Sequence, residues 1–191
     1  LIVDFTNVPE GNYVLGNLGP DEPFGGGEPD ADFEMADPAT TGQILEFRVV
    51  PAVGPDPTTP PEFLTLPKVT PLPAATVTRT LGMFEMMSMV HDGPAEALLG
   101  NIDAHGMPMH RMWSEPVTEN PRVGDTEMWE LYNLTADAHP MHVHEVVFEV
   151  VNRQRLHLED DEVEVPVELE GEARPPEPWE AGFKDTVIAY P

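Results

Sequence analysis

The chain has 191 residues, enough for one ordinary domain or for one small domain with part of a second. Its 35 Asp and Glu residues against 9 Lys and Arg give a formal net charge of −26, which would repel nucleic acid and anionic lipid. There is no cysteine, which excludes disulfides, thiolate metal ligands and a cysteine nucleophile, and no stretch approaches the roughly 20 apolar residues of a membrane span.

Short runs of β-branched and aromatic residues predict an all-β fold. They stand between 23 prolines and 15 glycines, and a sustained helical period is hard to find. Short strands with such frequent turn signals are typical of β-sandwiches and barrels. The clearest runs are LIVDF, QILEFRVV, MWELYNL, HEVVFEVV and DTVIAY.

The distribution of proline predicts two β domains joined by a linker. Residues 1–50 are expected to be the closing strands of one domain, with an acidic, glycine-rich loop between them. Residues 51–74 are the predicted linker, because the eight prolines in 51–73 prevent continuous sheet pairing and favour extended backbone. Residues 75–191 are expected to form most of a second domain. Since the chain opens and closes on strand-like runs, we expect it to be a piece of a longer protein.

Early in the second part, residues 81–113 carry seven methionines and three histidines. The simpler interpretation is that methionine fills an irregular core or forms an adaptable surface. Thioether and imidazole groups also bind Cu(I), so a copper site is the alternative. Its candidate ligands are His105, Met107, Met109, His110 and Met112.

Three of the seven histidines fall within the segment AHPMHVHEVVFEV. Alternation from His142 predicts a strand over 142–150, with His142 and His144 on its core face, about 6.5–7 Å apart along the strand. Because His139 precedes Pro140, it is biased to extended backbone and can face another direction. Three histidines in this pattern predict a metal site. Neutral imidazole suits Zn, Cu, Fe and Ni, so the spacing does not choose the metal.

The acidic segment 158–180 carries eight carboxylates between Glu159 and Glu172. A solvated hairpin or loop is the simpler interpretation. Calcium binding is the alternative, because carboxylates are the ligands that Ca²⁺ prefers, but the spacing matches no loop pattern that we can name. We therefore predict surface structure here.

HPMHVH resembles the histidine motif of the multicopper oxidases, the laccase and bilirubin-oxidase group, and the surrounding sequence agrees. WSEPVTENPRVGDTEMWELYNLTADAHPMHVHEVVFEVVNRQ resembles the part of the last cupredoxin domain that carries this motif. GFKDTVIAYP resembles the strand shortly before the family's final copper motif, and LIVDFTNVPEGNYVLGNLGPDEPF resembles the end of the middle domain. The resemblance implies cupredoxin-like Greek-key domains of the β-sandwich or barrel type, copper as cofactor, and an extracytoplasmic location.

The same resemblance implies a role for each histidine. His139 would bind the type 1 copper, which accepts electrons from a phenolic, metal-ion or other reducing substrate. His142 would bind the type 2 copper and His144 one of the type 3 pair, where dioxygen is reduced to water. The family's His-Cys-His motif and its first-domain histidine pairs are absent. We therefore expect the chain to be inactive alone and to be completed by the remainder of the same oxidase.

Two other functions fit parts of the sequence. A non-catalytic copper-binding or copper-tolerance module would rest on the methionine-rich segment and would explain the missing cysteine. A zinc hydrolase on a β scaffold would use His139, His142 and His144 with an open position for water. The hydrolase lacks an evident general base, because Glu145 is expected to point away from His144.

The acidic residues are spread over most of the chain, which favours a solvation role in a very salty or otherwise demanding medium over a localised binding patch. Salt screens the repulsion between carboxylates. We predict that the thermal unfolding midpoint rises between low and multimolar NaCl. Unfolding curves followed by circular dichroism test this, and a midpoint that does not rise with salt would contradict it.

Overall fold

A computed structural model describes residues 2–65, 67–157 and 166–191, and the chain divides into two compact units, Leu1–Pro71 and Leu72–Pro191. The described residues form ten strands and two single-turn 3₁₀ helices. The prediction of an all-β chain is confirmed. The assignment of 1–50, 51–74 and 75–191 to domains of a longer protein stays a prediction. Neither helix in the described residues has the length and hydropathy of a membrane span.

The first unit contains one antiparallel hairpin. Strands β1 (Gly11–Gly16) and β2 (Gln43–Val49) pair from Gly11 opposite Val49 to Gly16 opposite Gln43. In the acidic loop between them, Phe24 and Phe33 meet edge to face, with ring centroids 5.4 Å apart. The proline-rich stretch that follows forms a 3₁₀ turn at Pro61–Phe63 and no strand among its described residues, as its proline content predicts.

The second unit is built on a four-stranded sheet with the order β5-β4-β3-β6. Its strands are β3 (Val77–Met87), β4 (Pro94–Ile102), β5 (Pro108–Arg111) and β6 (Glu127–Asn133). The β3–β4 and β4–β5 pairs are antiparallel, and β3 runs parallel to β6. A parallel pair needs a crossover connection, and here β4 and β5 lie within it.

Two further strand pairs complete the second unit. Strand β7 (His139–His142) pairs antiparallel with β10 (Thr186–Ala189), and β8 (Arg153–His157) pairs antiparallel with β9 (Glu168–Arg174). A second 3₁₀ turn, Pro178–Glu180, precedes β10. In the predicted acidic hairpin, residues 158–165 lie outside the described residues. Strand β9, which lies within this acidic segment, is exposed along its whole length.

The chain buries few side chains. The buried hydrophobic residues among those described are Ala36, Met83, Phe84 and Ile102. The accessible surface is 15312 Å². A single folded body of 21.1 kDa would expose about 9000 Å², and two separate bodies of that total mass about 11000 Å². Apolar side chains on the strands, among them Val14, Ile44 and Leu99, are exposed.

A charge pair fixes the edge of the sheet that leads to the histidines. Arg79 on β3 donates two hydrogen bonds to the carboxylate of Glu127 on β6, at 2.7 and 2.9 Å. The indole of Trp129 donates a third, at 2.9 Å. The side chain of Glu127 is only 6% exposed. These donors, led by Arg79, lower the pKa of Glu127 from 4.5 to about 2.

We predict that Glu127→Gln destabilises the protein at neutral pH, with a difference from wild type that closes in acid. Because folding favours the ionised carboxylate, its contribution is present above about pH 4.5 and is lost as the pH falls toward about 2. Urea unfolding of both proteins between pH 3 and 7 tests this. Glu130→Gln is the matched control, since Glu130 is exposed on the same strand with no ion pair shown among the described residues. A difference that stays constant across this pH range would contradict the prediction.

Candidate metal centre

Strand β7 places two of the three predicted ligands at its ends. His139 pairs with Ala189, and His142 pairs with Thr186. Because they are three positions apart along a strand, their side chains point to opposite faces, about 10 Å apart along the backbone. Burial follows the same alternation, with His139 half-buried and His142 exposed. The two imidazoles therefore serve different sides of β7.

The imidazole of His142 is held by strand β10. Its Nδ1 lies 2.7 Å from the carbonyl oxygen of Asp185 and 3.0 Å from the hydroxyl oxygen of Thr186. A carbonyl oxygen only accepts, so Nδ1 carries the hydrogen and donates it. In the neutral ring the lone pair is then on Nε2, which leaves this nitrogen for a metal.

The chain leaves the sheet directly after His142. Strand β7 ends there, and the next pairing with this partner segment is the isolated bridge between Phe148 and Lys184. Residues 143–147 therefore lie opposite Asp185 alone, whose carbonyl oxygen also accepts the amide of Val143 at 3.1 Å. The predicted continuous strand over 142–150 is wrong. Its alternation is interrupted because Glu145 adopts a left-handed backbone with φ of 64°.

The loop formed by residues 143–147 places His144 close to His142. The two ring centroids lie 4.8 Å apart, with the rings inclined at 71°. Both side chains are exposed, so the prediction that they face the core is wrong. Residues 142–147 and Asp185 line an open depression of about 440 Å³. His142 and His144 thus form a pair at the surface.

His139 has a separate environment. Its Nε2 lies 2.6 Å from the hydroxyl oxygen of Thr135, in the connection between β6 and β7. Thr135 in turn contacts the side chain of Asn133 at the end of β6. Neither Asn133 nor Thr135, nor Asp185 and Thr186 beside His142, was predicted from the sequence. The only available signal was their position at strand ends next to a histidine motif.

The three histidines do not converge on one point. Within residues 2–65, 67–157 and 166–191, no three His, Cys, Asp or Glu side chains form a group that could hold a metal ion. A zinc hydrolase site built from His139, His142 and His144 would need such a group. The arrangement instead presents one isolated imidazole and one pair.

The methionine-rich segment, residues 81–113, begins within β3 and includes all of β4 and β5. Met83 is buried in the core, as the simpler interpretation predicts, whereas Met89 is fully exposed. At the β4–β5 turn the carboxylate of Asp103 accepts the amides of His105 and Met107, at 2.7 and 2.9 Å. These bonds lower the pKa of Asp103, the one from Met107 contributing most. Copper binding by this segment stays a prediction.

Comparison with known proteins identifies the family. The profile of a multicopper oxidase domain matches residues 86–191. The chain belongs to the multicopper oxidase family. This membership, together with the all-β architecture, confirms the predicted cupredoxin-like fold class.

Individual relatives of this multicopper oxidase chain agree. A laccase of Bacillus subtilis (strain 168) is 31% identical over 196 residues, covering 100% of the chain and 33% of the relative. A laccase of Bacillus stratosphericus is 35% identical over 97 residues, which are 49% of the chain and 19% of the relative. The multicopper oxidase LPR1 of Arabidopsis thaliana is 32% identical over 156 residues, 82% of the chain and 24% of the relative. The chain thus spans a third or less of these relatives.

Membership in the family implies copper as the cofactor, and the described donors fit this metal. Imidazole nitrogen is a good copper ligand. His142 has one ring nitrogen hydrogen-bonded to the protein, and so does His139, so that one nitrogen in each ring remains for a metal. Such hydrogen bonds are the usual support of metal-binding histidines.

Strand β10, which holds His142, is itself anchored by Arg153. This guanidinium forms a bidentate pair with Glu180 and donates to the carbonyl oxygen of Ile188 at 3.1 Å. It also lies over the ring of Tyr190, 5.6 Å from the centroid. Arg153, through its hydrogen bonds, is the main cause of the lowered pKa of Glu180.

We predict that Glu180→Gln loosens the β7–β10 pair. Loss of a charge-assisted hydrogen bond contributing roughly 1.5–3 kcal/mol should speed amide exchange in both strands by about 10- to 100-fold. Hydrogen–deuterium exchange with mass spectrometry measures this. Glu115→Gln is the matched control, because it removes the carboxylate of a different pair, with Arg111. Equal exchange in wild type and Glu180→Gln would contradict the prediction.

Proposed function

We propose that the chain is the part of a laccase-type multicopper oxidase that supplies the H-P-x-H-x-H copper ligands. The whole oxidase would oxidise phenolic, metal-ion or other reducing substrates in one-electron steps and reduce dioxygen to water. The observation that carries the proposal is the separation of His139 from the pair formed by His142 and His144. An enzyme that takes electrons at one copper and passes them to others needs two separate centres, and this short segment carries candidate ligands for both.

In this proposal His139 belongs to the type 1 copper. Its Nε2 is engaged by Thr135, so Nδ1 is the nitrogen that would bind the metal. His142 belongs to the type 2 copper and offers Nε2, because Asp185 accepts the hydrogen of its Nδ1. His144 belongs to the type 3 pair. Bound copper would supply one-electron transfer and the reduction of dioxygen, and the task of these residues is to bind and orient it.

The remaining ligands would come from other parts of the same oxidase. A type 1 site needs a thiolate in addition to histidine, and the chain has no cysteine. The chain spans only about a third of the Bacillus subtilis laccase. Apolar side chains such as Ile44 and Leu99 are exposed on its strands, and further parts of an oxidase would cover them. We further propose that the oxidase is secreted or periplasmic.

We predict that the three histidines have different effects in the full-length protein loaded with copper. His139→Ala should lose the blue absorption and the type 1 electron paramagnetic resonance signal. His142→Ala and His144→Ala should keep the blue absorption but lose dioxygen reduction. All three should oxidise phenols at least about 100-fold more slowly, as expected when a residue required for the reaction is removed.

His157→Ala, in β8, is the control variant and should match wild type in copper content and rate. Copper content, spectra, oxygen uptake and phenol oxidation are measured for each variant. Full copper content and full activity in all three ligand variants would overturn the proposal. Zinc as the bound metal, with no oxidase activity, would favour a hydrolase instead.

A further inference from the structure

The connection from β6 to β7 contains a polar side chain withdrawn from solvent. Measured over the whole residue, Asn133 is 4% exposed, which is less than any other polar residue in the part of the chain that the structure describes. A buried amide is retained at a cost unless its hydrogen bonds are made. Asn133 is the last residue of β6, six positions before His139 in the sequence.

The amide of Asn133 uses its full hydrogen-bonding capacity. Its Nδ2 donates to the carbonyl oxygens of Asp137, at 2.7 Å, and Ala189, at 3.3 Å. Its Oδ1 accepts the backbone amide and the hydroxyl of Thr135, at 3.2 and 2.9 Å. Two donors and two acceptor positions are thereby satisfied. The amide ties the connection to β10, because Ala189 is the residue of β10 that pairs with His139.

The same network favours one direction for the hydrogen bond between Thr135 and His139. The Thr135 hydroxyl has one hydrogen, and two acceptors already lie near it: Oδ1 of Asn133 at 2.9 Å and the carbonyl oxygen of Asp137 at 3.1 Å. With that hydrogen donated to either of them, the hydroxyl oxygen accepts the hydrogen on Nε2 of His139 across 2.6 Å. Nδ1 is then the nitrogen with the free lone pair.

We propose that Asn133 and Thr135 are positioning residues for His139. They keep its Nε2 protonated and bound to the protein, and they orient the ring so that Nδ1 alone is offered to copper. The inference rests on the proposed role of His139 as a type 1 ligand. A ring N–H that donates to an oxygen makes the imidazole a stronger donor through its other nitrogen, which favours Cu(II) over Cu(I). The network should therefore lower the reduction potential of that copper.

The test is Thr135→Val in the full-length, copper-loaded protein. We expect a higher type 1 reduction potential, and an affinity for type 1 copper that is about 10–100-fold weaker, the usual cost of removing such a support. Thr135→Ser, which keeps the hydroxyl, should restore both values to near wild type. Thr78→Val, at an exposed position of β3, removes a hydroxyl of the same kind and should change neither. Redox titration of the blue absorption and competition with a copper chelator give the two readouts.

Failure of this inference differs from failure of the proposed function. If His139→Ala keeps the blue absorption, then His139 is not a type 1 ligand, and both are wrong. If His139→Ala loses it while folded Thr135→Val has wild-type potential and affinity, only the positioning role is wrong. If Thr135→Val does not fold, a crystal structure of the copper-loaded wild-type protein decides. Coordination through Nδ1, with Nε2 on Thr135, supports the inference, and coordination through Nε2 overturns it.

Discussion

The antiparallel pairing of β7 with β10 is the interaction on which the candidate centre depends. It is only four residues long, yet both of its ends are used. At one end the carbonyl oxygen of Asp185 accepts a hydrogen bond from Nδ1 of His142. At the other end the carbonyl oxygen of Ala189 accepts one from the side-chain amide of Asn133. A shift of this register by one residue would turn each histidine to the opposite face. The polar contacts at the two ends therefore hold both the register and the rings.

The end of this pairing after His142 also shapes the candidate centre. Five residues lie opposite Asp185, and the left-handed backbone of Glu145 turns the chain within them. Irregularities of this kind redirect side chains at the edges of β-sheets and are frequent next to functional sites. Here the loop returns His144 to within 4.8 Å of His142, measured between ring centroids. In a regular strand the two side chains would instead lie on one face, about 6.5–7 Å apart along the strand.

The chain carries a large excess of negative charge, and few hydrophobic side chains are buried among its described residues. Its 35 Asp and Glu carboxylates are accompanied by only 9 Lys and Arg side chains. The two pairs with least exposed side chains, Arg79 with Glu127 and Arg153 with Glu180, both hold strands that lead into the candidate centre. The remaining carboxylates repel one another, and in the part of the chain that the structure describes few buried hydrophobic side chains oppose this repulsion. Covering the exposed strand faces and screening the charge with salt would both stabilise the folded chain.

The sequence by itself determined the all-β class and identified the histidine motif. Apolar runs separated by prolines and glycines are local signals of strands and turns, so they can be recognised without knowing which strands pair. The tertiary structure decided where β7 ends, which face each imidazole takes and which side chains support it. The bonds of His142 to Asp185 and of Asn133 to Ala189 join residues 43 and 56 positions apart. Local propensity carries no information about such pairs, because they form only when strands distant in sequence meet in one register.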